Sequence, residues 1–173
     1  MIAAAVEHAR AAIKAAPEEP RAHAWLAVAL RQQTEMEGPK TRGGLWREIH
    51  SELDRAIALD AGFAQAYLER GRWNMRLSNR GLWERTVSRV MFAKVPKGAS
   101  MDNAVRDLEK AVELAPGTIE ARMELARAYL EIKRDADARR ELERALGIPV
   151  QRPRDPGLQV EAREMLEKLA KRG

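Results

Sequence analysis

The chain contains no cysteine. Disulfides, thiolate zinc sites and cysteine nucleophiles are therefore excluded, and the compartment is left open. Aromatic residues make up only 5% of it, and Thr and Ile are scarce. No segment alternates β-branched and polar residues, so no sheet is expected. Long apolar runs are missing too. The longest, AWLAVAL at 24–30, is far shorter than the roughly 20 residues a membrane helix requires, so no transmembrane segment is expected. The opening MIAAAVEHAR places Glu7 and His8 where a signal peptide needs an apolar core. The expected location is cytoplasmic if the chain is complete, and periplasmic or membrane-associated if an N-terminal signal or anchor has been removed.

What remains, in 173 residues, is rich in Ala, Leu, Glu and Arg. These are strong helix formers, enough for one all-helical domain over 1–173. The net charge of +5 is too modest to imply a nucleic-acid partner.

Internal repetition organises the chain. In the segment from Pro116 to Pro149, Leu125, Ala126 and Tyr129 share one face of a first helix, and Ala138, Leu142 and Ala145 share one face of a second. The two prolines lie 33 residues apart, close to the tetratricopeptide period of about 34. Small residues at Ala126 and Ala138 let antiparallel helices approach closely. The same halves recur upstream as Ala104, Leu108 and Ala111; as Tyr67 and Gly71; as Leu53 and Ala56; and as Leu26, Ala27 and Leu30. AVEHARAAIKAAP is a second half with no first, so the chain opens mid-repeat, as a trimmed chain or an atypical cap would. After the proline-rich loop GIPVQRPRDPG, Asp155 and Pro156 start a helix as N-cap and first position. Its Leu158, Ala162, Met165, Leu166 and Leu169 are placed to cover the last repeat. The expected fold is an all-α, right-handed tetratricopeptide superhelix with an inserted helix and a C-terminal capping helix.

The insertion is the stretch RGLWERTVSRVMFAKVPKGAS from Arg80. Trp83, Val87, Val90 and Met91 form one apolar stripe, with Arg85 and Arg89 off it. A helix over 80–95 that packs by its stripe on the repeats is expected, with Trp73 and Trp83 structural. Between Arg70 and Lys97 the net charge is +7, because the only acid is Glu84. First helices line the concave face of such a stack, which points Arg31, Arg72, Arg76 and Arg127 into the groove with Met75 and Met123 between them.

Other motifs carry little. GPKTRGG lacks the Lys-Ser/Thr and the preceding strand of a phosphate loop. His8, His23 and His50 fall in separate helices, without ligand spacing for a metal. RRELER and EAREMLEK are solvated ion-pair faces rather than acid–base pairs. No catalytic residue, metal site or cofactor is expected.

The run YLERGRWNMRLSNRGLWERTVSRVMFAKVPKGASMDNAVRDLEKAVELAP resembles the regulator of microtubule dynamics family and its bacterial relatives. The likeness rests on Gly71-Arg72-Trp73, Trp83-Glu84-Arg85, the Pro96–Gly98 turn and Ala99-Ser100. The closing LGIPVQRPRDPGLQVEAREMLEKL is similar as well, so about residues 44–170 are covered. The resemblance implies an all-helical superhelix used for binding, linked in eukaryotic members to microtubules and organelle contacts, and in some to lipid. The Arg-over-Lys, Ala-rich usage resembles a bacterial protein. A weaker resemblance is to the tetratricopeptide components of bacterial solute transport systems. The expected function is a non-enzymatic adaptor whose concave basic groove binds an acidic peptide or protein segment. The alternative is binding or transfer of anionic phospholipid in a groove partly closed by the helix 80–95.

Overall fold

Helix-favouring composition and frequent breakers divide the chain into short elements. The computed structural model describes residues 1–87 and 99–171, with 39–40 and 79–87 described as backbone only. Among them are eight helices and no strand: α1 (Ile2–Ala15), α2 (Pro20–Met36), α3 (Pro39–Leu59), α4 (Ala64–Val87), α5 (Met101–Leu114), α6 (Ile119–Glu131), α7 (Asp135–Leu146) and α8 (Asp155–Ala170). Proline opens α2 and α3, where its missing N–H costs nothing. The Glu19 carboxylate accepts from the Arg21 N–H at the head of α2, and the Ser100 hydroxyl accepts from the Asn103 N–H at the head of α5.

Short turns fold α3 back on α2 and α7 back on α6, and α5 packs on α4 in the same way. The first helices also touch one another, α2 with α4, α4 with α6, and α6 with α8. Among the described residues the second helices α3, α5 and α7 do not. The stack therefore curves toward its first helices, which form the concave face.

The expected repeat positions form the core, except Tyr67, which is partly buried against it. Leu26, Ala27, Leu30, Leu53, Ala56, Ala104, Leu108, Ala111, Leu125, Ala126, Tyr129, Ala138, Leu142 and Ala145 are all buried. Gly71 allows the closest helix approach. A Cβ there would lie 2.6 Å from Leu108 Cγ and 3.3 Å from the Ala104 carbonyl oxygen. Trp73 is buried as expected. Its Nε1–H donates to the Trp46 carbonyl at 3.1 Å, and its ring lies against that of His50. α8 packs Leu158, Met165, Leu166 and Leu169 on the last pair. Asp155 is its first residue rather than its N-cap. The carboxylate turns back to accept from the Gln151 and Arg152 N–H groups at 3.0 and 2.9 Å, bracing the proline-rich loop.

The inserted stretch does not begin a new helix at Arg80. α4 runs through Arg80 and Gly81 to Val87. One glycine within a helix costs only about 1 kcal/mol relative to alanine, too little to stop it without a second breaker. Trp83 and Arg85 lie on this backbone-only extension, whereas Arg89 and the remainder of 88–95 lie outside the described residues. No helix among the described residues is long and apolar enough to cross a membrane.

Candidate functional site

Each first helix turns one stripe, spaced three or four residues apart, toward the concave face. The stripes converge on two cavities. One, of about 580 Å³, lies toward the C-terminal ends of the first helices and is lined by Arg31, Arg72, Met75, Arg76 and Arg127, together with Glu124, Leu130, Glu131 and Arg154. Five of the six residues expected in the groove thus share one cavity.

Met123 is not among them; it is fully buried in the core. The reason is register. Aligning the small positions Gly71 and Ala126, Met75 corresponds to Leu130, which lines the cavity, and Met123 corresponds to Leu68, which is buried.

The charge also differs from its distribution along the chain. Arg72 meets Glu69 at 2.8 Å, Glu120 at 2.6 Å and Glu124 at 3.0 Å. Arg127 bridges Glu124 and Glu161, both at 2.7 Å, so the network ties α4 through α6 to α8. Arg31 faces Glu69, Arg76 faces Glu35, and Arg154 reaches Glu120. Arg70 sits outside the groove, bidentate on Asp107 and bonded to Asp54. Counting charges from Arg70 to Lys97 misses these partners because Glu120 and Glu124 come from another repeat. Burial alone would push the Glu120 carboxyl up. The Arg72 hydrogen bond and the charges of Arg72, Arg154 and Arg152 outweigh it and hold that carboxyl below its ordinary value. Burial likewise opposes the charge on Arg72, but Glu69, Glu124 and Glu120 outweigh it and raise the guanidinium above its usual value. The cavity wall is a lattice of alternating charge rather than a bare cationic surface.

The second cavity, of about 620 Å³, lies at the N-terminal ends of the same helices. Its wall is mostly apolar, with Trp25, Val28, Phe63 and Leu68. Trp25 is 68% exposed, unlike the buried Trp46 and Trp73. In the sequence this stretch is informative for its missing membrane span and for its buried Leu26, Ala27 and Leu30, and Trp25 belongs to neither reading. The signal was present: Trp25 lies off the Leu26–Ala27–Leu30 face.

The histidines are separate and occupied. His23 is bonded on both ring nitrogens, to Glu52 and to the Pro17 carbonyl. His50 meets Asp54, and His8 is bonded to the Ala4 carbonyl. Among the described residues no group of three His, Asp or Glu side chains could hold a metal ion.

A family model described as regulator of microtubule dynamics protein 1-3 matches residues 1–170. Regulator of microtubule dynamics protein 3 of Xenopus laevis is 31% identical over 83% of this chain and 31% of its own length. Protein 2 of Homo sapiens is 27% identical over 91% of this chain and 38% of its own. Protein 1 of Mus musculus is 25% identical over 95% and 54%. The chain thus spans about a third to a half of these relatives. Among solved structures, a thermophilic TPR protein of Thermus thermophilus superposes with a TM-score of 0.72 at 23% identity, covering 95% of this chain and 73% of that one. MamA superposes at 0.58 and 17%, covering 96% and 85%. These structures share the tetratricopeptide fold.

Proposed function

The chain belongs to the regulator of microtubule dynamics family, and from that premise we propose that it is a non-enzymatic protein-interaction module whose concave face receives an acidic polypeptide segment. The observation that carries this reading is the convergence of Arg31, Arg72, Met75, Arg76 and Arg127 from three helices on one cavity. Pairing does not exhaust these cations. Arg76 and Arg154 each use a single nitrogen toward one glutamate and remain partly exposed, so outward N–H groups are available to a partner's carboxylates. Arg72 is the framework of the site rather than its contact surface, since three glutamates enclose it. The relatives' names attach them to microtubule dynamics; the shared domain would be the part that grips a polypeptide in such a role. The phospholipid alternative depends on a closing wall over 80–95, of which the backbone of 80–87 alone is described.

The test is titration of acidic synthetic peptides into wild type, into Arg76→Glu/Arg154→Glu, and into Arg139→Glu on the outer helix α7 as control. Binding that weakens in the groove variant and with added salt, but not in the control, supports the reading. Equal binding by all three proteins, or by none, overturns it.

A further inference from the structure

We propose that the apolar half of the groove is an anchor pocket for one bulky apolar side chain that is followed, in the same peptide, by a carboxylate. Trp25 is the platform, and Arg21 and Arg152 are the anion-binding flanks. This rests on the polypeptide reading above and specifies where on the concave face the partner is held and by what chemistry.

The repeat itself marks the place. Aligned on Ala27, Gly71 and Ala126, the same two groove positions carry Glu69 and Arg72 in α4 and Glu124 and Arg127 in α6. In those helices the pair is locked into the charge lattice. In α2 the two positions are Trp25 and Val28. The lattice therefore gives way to an indole that leaves 68% of its surface in solvent. Its neighbours in the cavity are Val28, Phe63, Leu68 and small alanines. Small residues leave depth, and about 620 Å³ lies within the range of specific pockets. Exposed apolar surface of this shape, rimmed by charge, is characteristic of a docking site.

Charge selects the occupant. Arg21 at the head of α2 and Arg152 in the α7–α8 loop both line this cavity and are exposed. Among the described residues neither guanidinium has an ion pair or hydrogen bond, although Arg152 acts at a distance on Glu120 and Asp155. Every arginine of the other cavity, by contrast, has a glutamate within 3.3 Å. The heads of α4 and α6 open on the same cavity through Ala64 and Thr118, and the Thr118 side chain caps nothing. The positive end of each helix dipole adds to the preference for negative charge. An apolar floor with two free cations at its rim fits a side chain such as Leu or Phe beside Asp, Glu or a terminal carboxylate.

The experiment is fluorescence anisotropy with three labelled peptides that differ at one site each: Leu beside Asp-Glu, Ala beside Asp-Glu, and Leu beside Lys-Lys. They are titrated into wild type, Trp25→Ala and Arg21→Glu/Arg152→Glu, with circular dichroism confirming that these surface variants keep their helices. The Leu–acid peptide should bind wild type best. Trp25→Ala should weaken it about tenfold or more, the scale of a central aromatic anchor. The Ala peptide should be weak on wild type and indifferent to Trp25→Ala, and charge reversal should abolish the preference for acid over lysine. If acidic peptides bind wild type and Trp25→Ala equally, the anchor is wrong while the polypeptide reading survives. If no peptide binds, both fail. Two other results also overturn the proposal in the absence of peptide binding. One is Trp25-dependent binding to phosphatidylglycerol vesicles, which assigns the pocket to lipid. The other is Trp25-dependent self-association in sedimentation, which assigns it to a second copy.

Discussion

Arg72 shows how one side chain changes meaning between sequence and structure. In the sequence it belongs to a basic run; in the fold it pairs with Glu69, Glu120 and Glu124 at once. Removing one member of a buried ion network typically costs about 3–5 kcal/mol, because the remaining charges lose their counter-ion. Arg72→Met should therefore lower stability by about that amount at neutral pH. The pH dependence separates this cause from lost packing. In wild type the Glu120 carboxyl lies below its unfolded value of 4.5. Its contribution is complete above that pH and is lost as the pH falls from 4.5 through the lower folded value. In Arg72→Met the Glu120 carboxyl loses the hydrogen bond and the charge that do most to hold it down, so the stability lost on acidification through that region should shrink. Urea denaturation over a pH series checks both, and parallel profiles would show that packing, not charge, is what was lost. The legible and the illegible sit side by side at this scale. Gly71 and Trp73 were recognisable as close contact and core because period fixes their face. The partners of Arg72 were not, because 48 and 52 residues separate it from Glu120 and Glu124.

Within the elements, two contacts set how the helices start and pack. Gly71 belongs to a helix in which alanine has the better intrinsic propensity, by about 1 kcal/mol. The fold reverses that preference, since a Cβ would stand 2.6 Å from Leu108 Cγ and face a backbone carbonyl behind it. Leu108 is fully buried and has nowhere to retreat. Gly71→Ala should lower stability by about 1–3 kcal/mol, the cost of overpacking, in chemical denaturation; a gain would mean that α4 and α5 separate easily. At the head of α5, Ser100 caps the Asn103 N–H. Ser100→Ala should cost about 1 kcal/mol, and Ser100→Asp should largely restore it. This cap restarts the helical stack directly after the insertion, so thermal melts of the two variants report how firmly that restart is fixed. The short halves were readable because each carries apolar residues on a single face between breakers. The continuity of α4 was not, because both sides of Arg80 are helical in pattern and no strong breaker lies between them.

At the scale of the molecule, stability is shared between neighbours. α8 covers the last pair with Leu158, Met165, Leu166 and Leu169, and Glu161 joins it to Arg127 across the concave face. Removing residues 155–173 bares the apolar side of α6 and α7. The shortened chain should melt at a lower temperature and bind a hydrophobic dye, whereas Glu161→Ala alone should change the melting point little, because that pair is half exposed. An unchanged melting point in the shortened chain would mean that the repeats need no C-terminal cover.

The sequence by itself determined the helical class, the repeat and its buried faces, and the closing helix. These follow from local periodicity and from small residues at Ala27, Gly71, Ala126 and Ala138, which neighbouring residues suffice to specify. It also placed Arg31, Met75, Arg76 and Arg127 on one side, because a stripe on a helix keeps its direction. Only the tertiary structure decided which of those charges remain available and which face Met123 takes. It also decided that Trp25 stands open beside Arg21 and Arg152. Ion pairing and cavity shape depend on distances between repeats, and such distances are set by packing and carry no periodic signature along the chain.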